Sequence, residues 1–242
     1  MNIIGKTDIG AVRARNEDAL DYGVLSDGTS WAIVCDGMGG VHGGKIASTA
    51  AIEMISDKIK KCYNPLMKMS SVENLLLSSI TTANVNVFDR GVYDKNLKGM
   101  GTTVVAAIVK DNEACIAHVG DSRAYIIHDN TIKQITRDHS LVQEMLDKGQ
   151  LTKQEYNNNP IKNIITRAMG VDEDVDIDFD YTPINKGDAL VLCTDGLSGL
   201  VSDERILEIY QNNEFESLAQ KYIDEANDNG GNDNVTVVIM EG

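Results

Sequence analysis

Positive charge is scarce in this sequence. Its 242 residues hold 22 Lys and Arg against 37 Asp and Glu, a formal net charge of −15. Phosphate backbones and anionic bilayers are gripped by clustered Lys and Arg, so the balance argues against a nucleic-acid or membrane-surface partner. Cysteine is sparse too. Cys35, Cys62, Cys115 and Cys193 form no Cys-x-x-Cys pair, so neither a zinc knuckle nor a redox motif is indicated. Three of them sit in apolar runs and read as buried thiols. No apolar run approaches membrane-spanning length. The opening MNIIGKTDIG lacks the long apolar stretch of a secretory signal, and a reducing cytoplasm is the expectation. Internal repeats and low-complexity segments are missing as well.

What remains is an ordinary apolar content of 42%, enough for a sizeable core. The length suits one large domain or two small ones. Apolar runs at 2–9, 20–25, 31–36, 102–109, 113–120, 123–128, 131–136, 176–184, 189–195 and 234–240 read as strands. Turn residues between neighbouring runs (Ser26 to Thr29, Asp111-Asn112, Asp129-Asn130) mark hairpins, and 102–136 reads as a β-meander. Helical spacing appears from Lys45 to Cys62, from about Val72 to Val87, and over 203–211 and 215–227. The stretch 140–170 is helical at first and then polar, with three asparagines before Pro160; it reads as a surface flap. Strands 102–109, 189–194 and 235–240 are apolar without clean alternation, as strands covered on both faces are. Hairpin connections require antiparallel sheets. Two packed antiparallel sheets, each backed by helices, meet both conditions, so the expected fold is α+β, a four-layer α/β/β/α sandwich.

The segment WAIVCDGMGGVHGG, Trp31 to Gly44, ends an apolar strand abruptly at Asp36 and follows it with a glycine-rich turn. A carboxylate beside bare backbone suits contact with a metal or a phosphate. HVGDS and LCTDG place Asp121 and Asp195 at strand ends in the same style, and GGNDN puts Asp233 just before the last strand. An Asp-Gly turn accounts for any one of these alone. Together they place hard oxygen ligands at one rim of the sandwich, a set suited to Mg²⁺ or Mn²⁺ rather than zinc. VRARNED, Val12 to Asp18, adds an Arg four residues before an acidic pair; a guanidinium grips phosphate as a fork.

On these residues the chain resembles the metal-dependent protein Ser/Thr phosphatases of the PP2C (PPM) family, in their compact bacterial form. RARNEDA, CDGMGG, GMGTTVVAAIV, AHVGDSRAYII, TRDHSLV, ITRAMG, LVLCTDGLSGLV and GGNDNVTVVI follow the family's order over essentially the whole chain, which implies a single domain, 1–242, with a flap at about 140–170. The resemblance implies that two or three Mn²⁺ or Mg²⁺ ions are bound. Asp36 would bridge two of them, the Gly37 carbonyl would bind one, Asp195 and Asp233 the other, and Asp121 would help to hold a third. Arg13 would hold the substrate phosphate. Asp18 would orient metal-bound water, with Glu17 and Asn234 in supporting positions. A metal-bridging hydroxide would attack phosphoserine or phosphothreonine directly, without a covalent phosphoenzyme. Phosphorylated proteins and a cognate eukaryotic-like Ser/Thr kinase are the implied partners of a chain expected to act as a monomer.

The chain departs from the family just beyond Asp36. Where many members carry His directly after the glycines, Val41 stands, with His42 one position later, and Lys45 replaces a usual acidic residue. His42 remains a candidate general acid; His118, His128 and His139 read as structural or surface residues. Two other functions compete. Gly39 to Lys45 satisfies G-x-x-x-x-G-K, the pattern of a nucleotide-binding P-loop, but Ile46 stands where Ser or Thr should bind Mg²⁺. A catalytically inactive phosphoprotein-binding regulator would show a lost metal ligand, and none of Asp36, Asp195 and Asp233 is lost.

Overall fold

Strands form where the apolar runs lie. The computed structural model describes residues 1–40, 42–157, 159 and 161–242; Val41 and Pro160, both singled out in the sequence, lie outside the described residues. The chain opens with β1 (Asn2–Asp8), β2 (Ala19–Val24), β3 (Ser30–Cys35) and a two-residue β4 (Gly37–Met38). Helices α1 (Gly43–Cys62) and α2 (Met69–Tyr93) follow. Next come β5 (Gly101–Thr102), β6 (Val104–Lys110), β7 (Glu113–Val119), β8 (Arg123–His128) and β9 (Thr131–Gln134). Short helices α3 (Leu141–Asp147) and α4 (Lys153–Asn157) precede β10 (Asp178–Pro183) and β11 (Ala189–Cys193). The chain closes with α5 (Asp195–Ser198), α6 (Asp203–Asn212), α7 (Phe215–Asp228) and β12 (Val235–Glu241).

Two five-stranded sheets result, in the orders β1-β12-β11-β8-β9 and β10-β7-β6-β3-β2, with every neighbouring pair antiparallel. Their inner faces meet through Val34, Ala107 and Ile116 on one side and Ala124, Leu192 and Val238 on the other. Helices α1 and α2 cover the outer face of the β3-containing sheet, where Ile55 and Ile80 pack with Ile33 and Ala106. Helices α6 and α7 cover the other, where Ile206 and Tyr222 pack with Val191 and Val237. This is the four-layer α/β/β/α sandwich that the apolar runs predict. All six residues of β3 are buried, because both of its faces are covered. No helix among the described residues is long and apolar enough to cross a membrane.

Three boundaries differ from expectation. The run 102–136 is not a meander within one sheet. β6 and β7 pair in one sheet, β8 and β9 in the other, and the chain changes sheet over Gly120 to Ser122. Strand 102–109 is divided at Thr103, because Thr102 pairs with Gly37 while β6 pairs with β3. Helix α2 runs past both predicted ends to Met69 and Tyr93; its last turns project exposed Val92 and Tyr93, so no apolar periodicity marks them.

Candidate active site

Asp36 sits where β3 ends, and the neighbouring chain fixes its backbone. Its N–H donates to Thr103 Oγ1 at 2.9 Å. Its carbonyl accepts from the Thr103 N–H at 2.9 Å and from Thr102 Oγ1 at 2.8 Å. Thr103 Oγ1 lies 2.7 Å from Ser122 Oγ, which ties Asp36 to the sheet crossing that presents Asp121. Gly37 is required by close approach: a Cβ there would stand 2.1 Å from the Gly44 carbonyl oxygen and 2.6 Å from that of Glu17. The start of α1 and the loop before β2 therefore close directly on the residue after Asp36.

Asp195 and Asp233 arrive from strands paired with each other, β11 and β12. A Cβ on Gly196 would meet the Asn234 carbonyl oxygen at 1.8 Å, so only glycine lets the two turns nest. Asp18 lies between them and is 1% exposed. Its Oδ2 accepts from Thr194 Oγ1 at 2.9 Å and from Thr236 Oγ1 at 2.6 Å. Its Oδ1 is buried with no hydrogen-bond partner, and so is Asp195 Oδ1.

Crowded carboxylates raise one another's pKa, and burial adds to the shift. Burial first, then the charges of Asp18, Asp195, Asp121 and Asp233, hold Asp36 well above the usual carboxylate range. Asp18 is pushed up to about 7, by burial and then by Asp195 and Asp233, against the two threonine hydroxyls that lower it. Asp121 is pushed up to about 8 by burial, Asp195 and Asp138. Asp195 is also raised, by burial and then by Asp233. Crowded acids, two of them with a buried unpartnered oxygen, ask for cations, and an all-oxygen donor set suits hard divalent ions. The residues fit two or three Mn²⁺ or Mg²⁺.

The remaining predicted residues lie around this rim. Arg13, about half exposed, donates from Nη2 to Asp233 Oδ2 at 2.7 Å and from Nε to the Asn232 carbonyl at 3.3 Å. Asn234 organises the loop between β1 and β2: its Oδ1 accepts from the Glu17 N–H at 2.8 Å, and its Nδ2 donates to the Ile9 and Arg15 carbonyls at 2.9 Å each. The Glu17 carbonyl accepts from Ser48 Oγ. Lys45 donates to the Asp18 carbonyl at 2.8 Å, so the unusual residue on the glycine turn braces the loop that carries Asp18. His42 is exposed at the N-terminus of α1, with Nδ1 2.8 Å from Arg15 Nη1. Arg can only donate, so Nδ1 accepts and the ring proton sits on Nε2.

Sequence reasoning passed over the threonines that hold Asp18 and Asp36, although Thr194 directly precedes Asp195 and Thr102-Thr103 stands in the GMGTT motif. It also passed over a cleft of about 650 Å³ beside the rim, lined by Asp121 and Asp195, by Leu146 and Tyr156 of α3 and α4, and by Leu200 and Asp203. The antiparallel sheet and the Lys45 contact rule out the P-loop reading, which needs a parallel strand–loop–helix unit.

The sequence matches the family described as protein phosphatase 2C over residues 10–237. It is 38% identical over 237 residues to the serine/threonine phosphatase stp of Listeria monocytogenes, covering 98% of this chain and 94% of that one. Among solved structures, the serine/threonine phosphatase Stp1 of Staphylococcus aureus is similar with a TM-score of 0.92 at 35% identity, covering 99% of this chain and 95% of the other. The catalytic domain of the phosphatase PstP in complex with two manganese ions gives a TM-score of 0.84 at 32% identity, covering 98% and 96%. The chain belongs to the protein phosphatase 2C family.

Proposed function

We propose that Asp36, the Gly37 carbonyl, Asp195 and Asp233 hold two divalent cations, that Asp121 helps to hold a third, and that phosphoserine and phosphothreonine in proteins are hydrolysed at this rim. The chain is a protein serine/threonine phosphatase of the 2C family, with divalent metal as its cofactor. The observation that carries the residue assignment is the convergence of acids from four distant segments on one rim, with Asp18 Oδ1 and Asp195 Oδ1 buried and unpartnered.

When bound, the cations supply an activated water and offset negative charge on the phosphate. Arg13 stands at the edge of the rim with its guanidinium half in solvent, where its fork binds two phosphate oxygens. The unpartnered Asp18 Oδ1 accepts from and aims the attacking water, while Thr194 and Thr236 hold the other oxygen. His42 is the candidate general acid for the leaving serine or threonine oxygen, a role it fills as imidazolium, with Nδ1 turned away from Arg15. Cys35, Cys115 and Cys193 are buried, and burial holds their thiols protonated; the exposed Cys62 ends α1, at the opposite end of that helix from the rim, so the reading uses no cysteine nucleophile. The flap at 140–170 forms one wall of the substrate cleft in a single domain spanning 1–242. Phosphoprotein substrates presuppose a Ser/Thr kinase, which we take as the partner activity. We read the enzyme as a cytoplasmic monomer.

Hydrolysis of para-nitrophenyl phosphate and a phosphothreonine peptide with Mn²⁺ is the direct test. Turnover of both that stops with chelator and returns with Mn²⁺ supports the reading. Peptide binding without turnover would instead make the chain a phosphoprotein-binding regulator.

A further inference from the structure

The flap wall of the cleft is held by contacts that the chemistry above does not use. Behind it, Asp138 is saturated with donors. Arg123 donates from Nε to Oδ1 at 2.9 Å and from Nη2 to Oδ2 at 2.7 Å, and Gln134 Nε2 reaches Oδ1 at 2.8 Å. The Arg123 and Asp138 side chains are 16% and 5% exposed, and Arg123 begins β8 two residues after Asp121. One donor to this unit comes from outside the sheets. Tyr156, on α4, gives its hydroxyl proton to Asp138 Oδ2 at 3.0 Å, and Arg123 Nη2 lies 3.3 Å from the same hydroxyl oxygen. Burial and the Asp138 charge push the phenol up to about 12, so it stays a donor.

Helix α4 needs that tether. It is five residues long, too short to persist on its own. Its start is capped locally: Glu155 Oε2 accepts from the Thr152 N–H and hydroxyl, each at 2.8 Å. That box stabilises the turn without joining it to the rest of the molecule. Among the described side chains of α4, the Tyr156 hydroxyl makes the hydrogen bonds that reach the sheets, and it ends them on an ion pair anchored beside Asp121.

We propose that Tyr156 is a positioning residue that bolts α4 over the cleft through Asp138 and Arg123, fixing the wall along which a phosphoprotein segment enters; this rests on the phosphatase reading above. A small aryl phosphate, which ends near its phosphate, does not need that wall. A hydrogen bond to a charged acceptor is worth enough to shift a docking equilibrium about tenfold, and a preformed wall spares the substrate the ordering of the flap.

Tyr156→Phe removes the hydroxyl and keeps the ring, so the Arg123–Asp138–Gln134 unit stays intact. In the full chain with Mn²⁺, KM for a phosphothreonine peptide should rise about three- to tenfold, while kcat for para-nitrophenyl phosphate stays within about twofold. Amide hydrogens over 150–157 should exchange about tenfold faster, with β8 and β11 unchanged. Equal losses on both substrates would overturn the proposal, as would a peptide KM and an exchange pattern identical to wild type. If the wild-type chain hydrolyses neither substrate, the phosphatase reading fails instead, and the exchange measurement still decides whether Tyr156 holds α4.

Discussion

The acidic rim and the histidines near the sheet crossing are both gatherings of metal-ligand side chains, and they differ in what is left unsatisfied. His118, His139 and Asp178 bring ligand atoms within 4.8 Å of one another, close enough for one ion to reach all three. Yet the two rings stack at 4.6 Å with planes 23° apart. An imidazole binds a metal along a lone pair in its own plane, and nearly parallel planes do not aim two lone pairs at one point. His139 Nδ1 already accepts from the Gly120 N–H at 3.1 Å, and Arg167 already pairs with Asp178 at 2.7 Å. Burial, His118 and Arg167 hold His139 neutral, down to about 4. The histidine pair strands one ring nitrogen, His118 Nδ1, whereas the rim gathers several acids with raised pKa values and strands two carboxylate oxygens. Uncompensated charge, more than proximity of ligands, is what draws a cation.

The largest effect should come from removing one of those charges. Asp36→Asn should lower Mn²⁺-dependent turnover by about 10³-fold or more. The metal-free variant should melt no lower than wild type, since the amide replaces a crowded carboxyl that burial and its acidic neighbours already keep from ionising; activity within tenfold of wild type would displace Asp36 from the centre of the site.

Stability against pH provides a second test. The folded-state pKa values of Asp18 and Asp121 lie above their unfolded values, so the folded form holds extra protons that it loses as pH rises through about 7 and 8. Metal-free protein should therefore lose on the order of 2 kcal/mol between about pH 6.5 and 8, a fall in Tm of about 4–8 °C. Saturating Mn²⁺ should flatten that slope, and a slope indifferent to Mn²⁺ would separate the raised acids from the metal site. Asp121→Ala should cost roughly tenfold in turnover while calorimetry still counts two tightly bound ions; loss of the tight pair would move Asp121 into their ligand shell. The smallest effect is expected at the histidines. His118→Gln keeps a donor for the Arg137 carbonyl that His118 Nε2 reaches at 2.9 Å, so metal stoichiometry should be unchanged and turnover within about twofold. One fewer ion bound would show that the stacked pair is a metal site after all.

Most of the sandwich was legible because β3, β6, β11 and β12 are continuous apolar runs and the hairpin turns carry Asp, Asn and Gly. The acids of the rim were legible because Asp36, Asp121 and Asp195 each follow such a run next to glycine or another small residue, and Asp233 comes just before one, behind a glycine pair. The sheet change at Gly120 was not: HVGDSRAY permits a hairpin or a crossing equally, and only the packing of two sheets decides between them. Nor could the sequence show that Lys45 braces Asp18, or that Arg13 meets Asp233, since those partners are neighbours only after folding. Tyr156 stands in a polar stretch with no apolar period to mark it, and its partner Asp138 belongs to another segment.

The outer strand of one sheet makes a further point about timing. Asn2 pairs with Glu241, and Asp8 with Val235. The loop carrying Arg13 and Asp18 thus leaves the first strand directly opposite the turn that carries Asp233. A chain emerging from the ribosome holds its early half of the site without a partner until β12 has been made. The centre closes only when the last strand docks beside the first, so folding should be slow for the chain's size, and truncation before the final strand should leave no partial activity. Catalytic competence is in this sense a report that β12 has been made and has found β1.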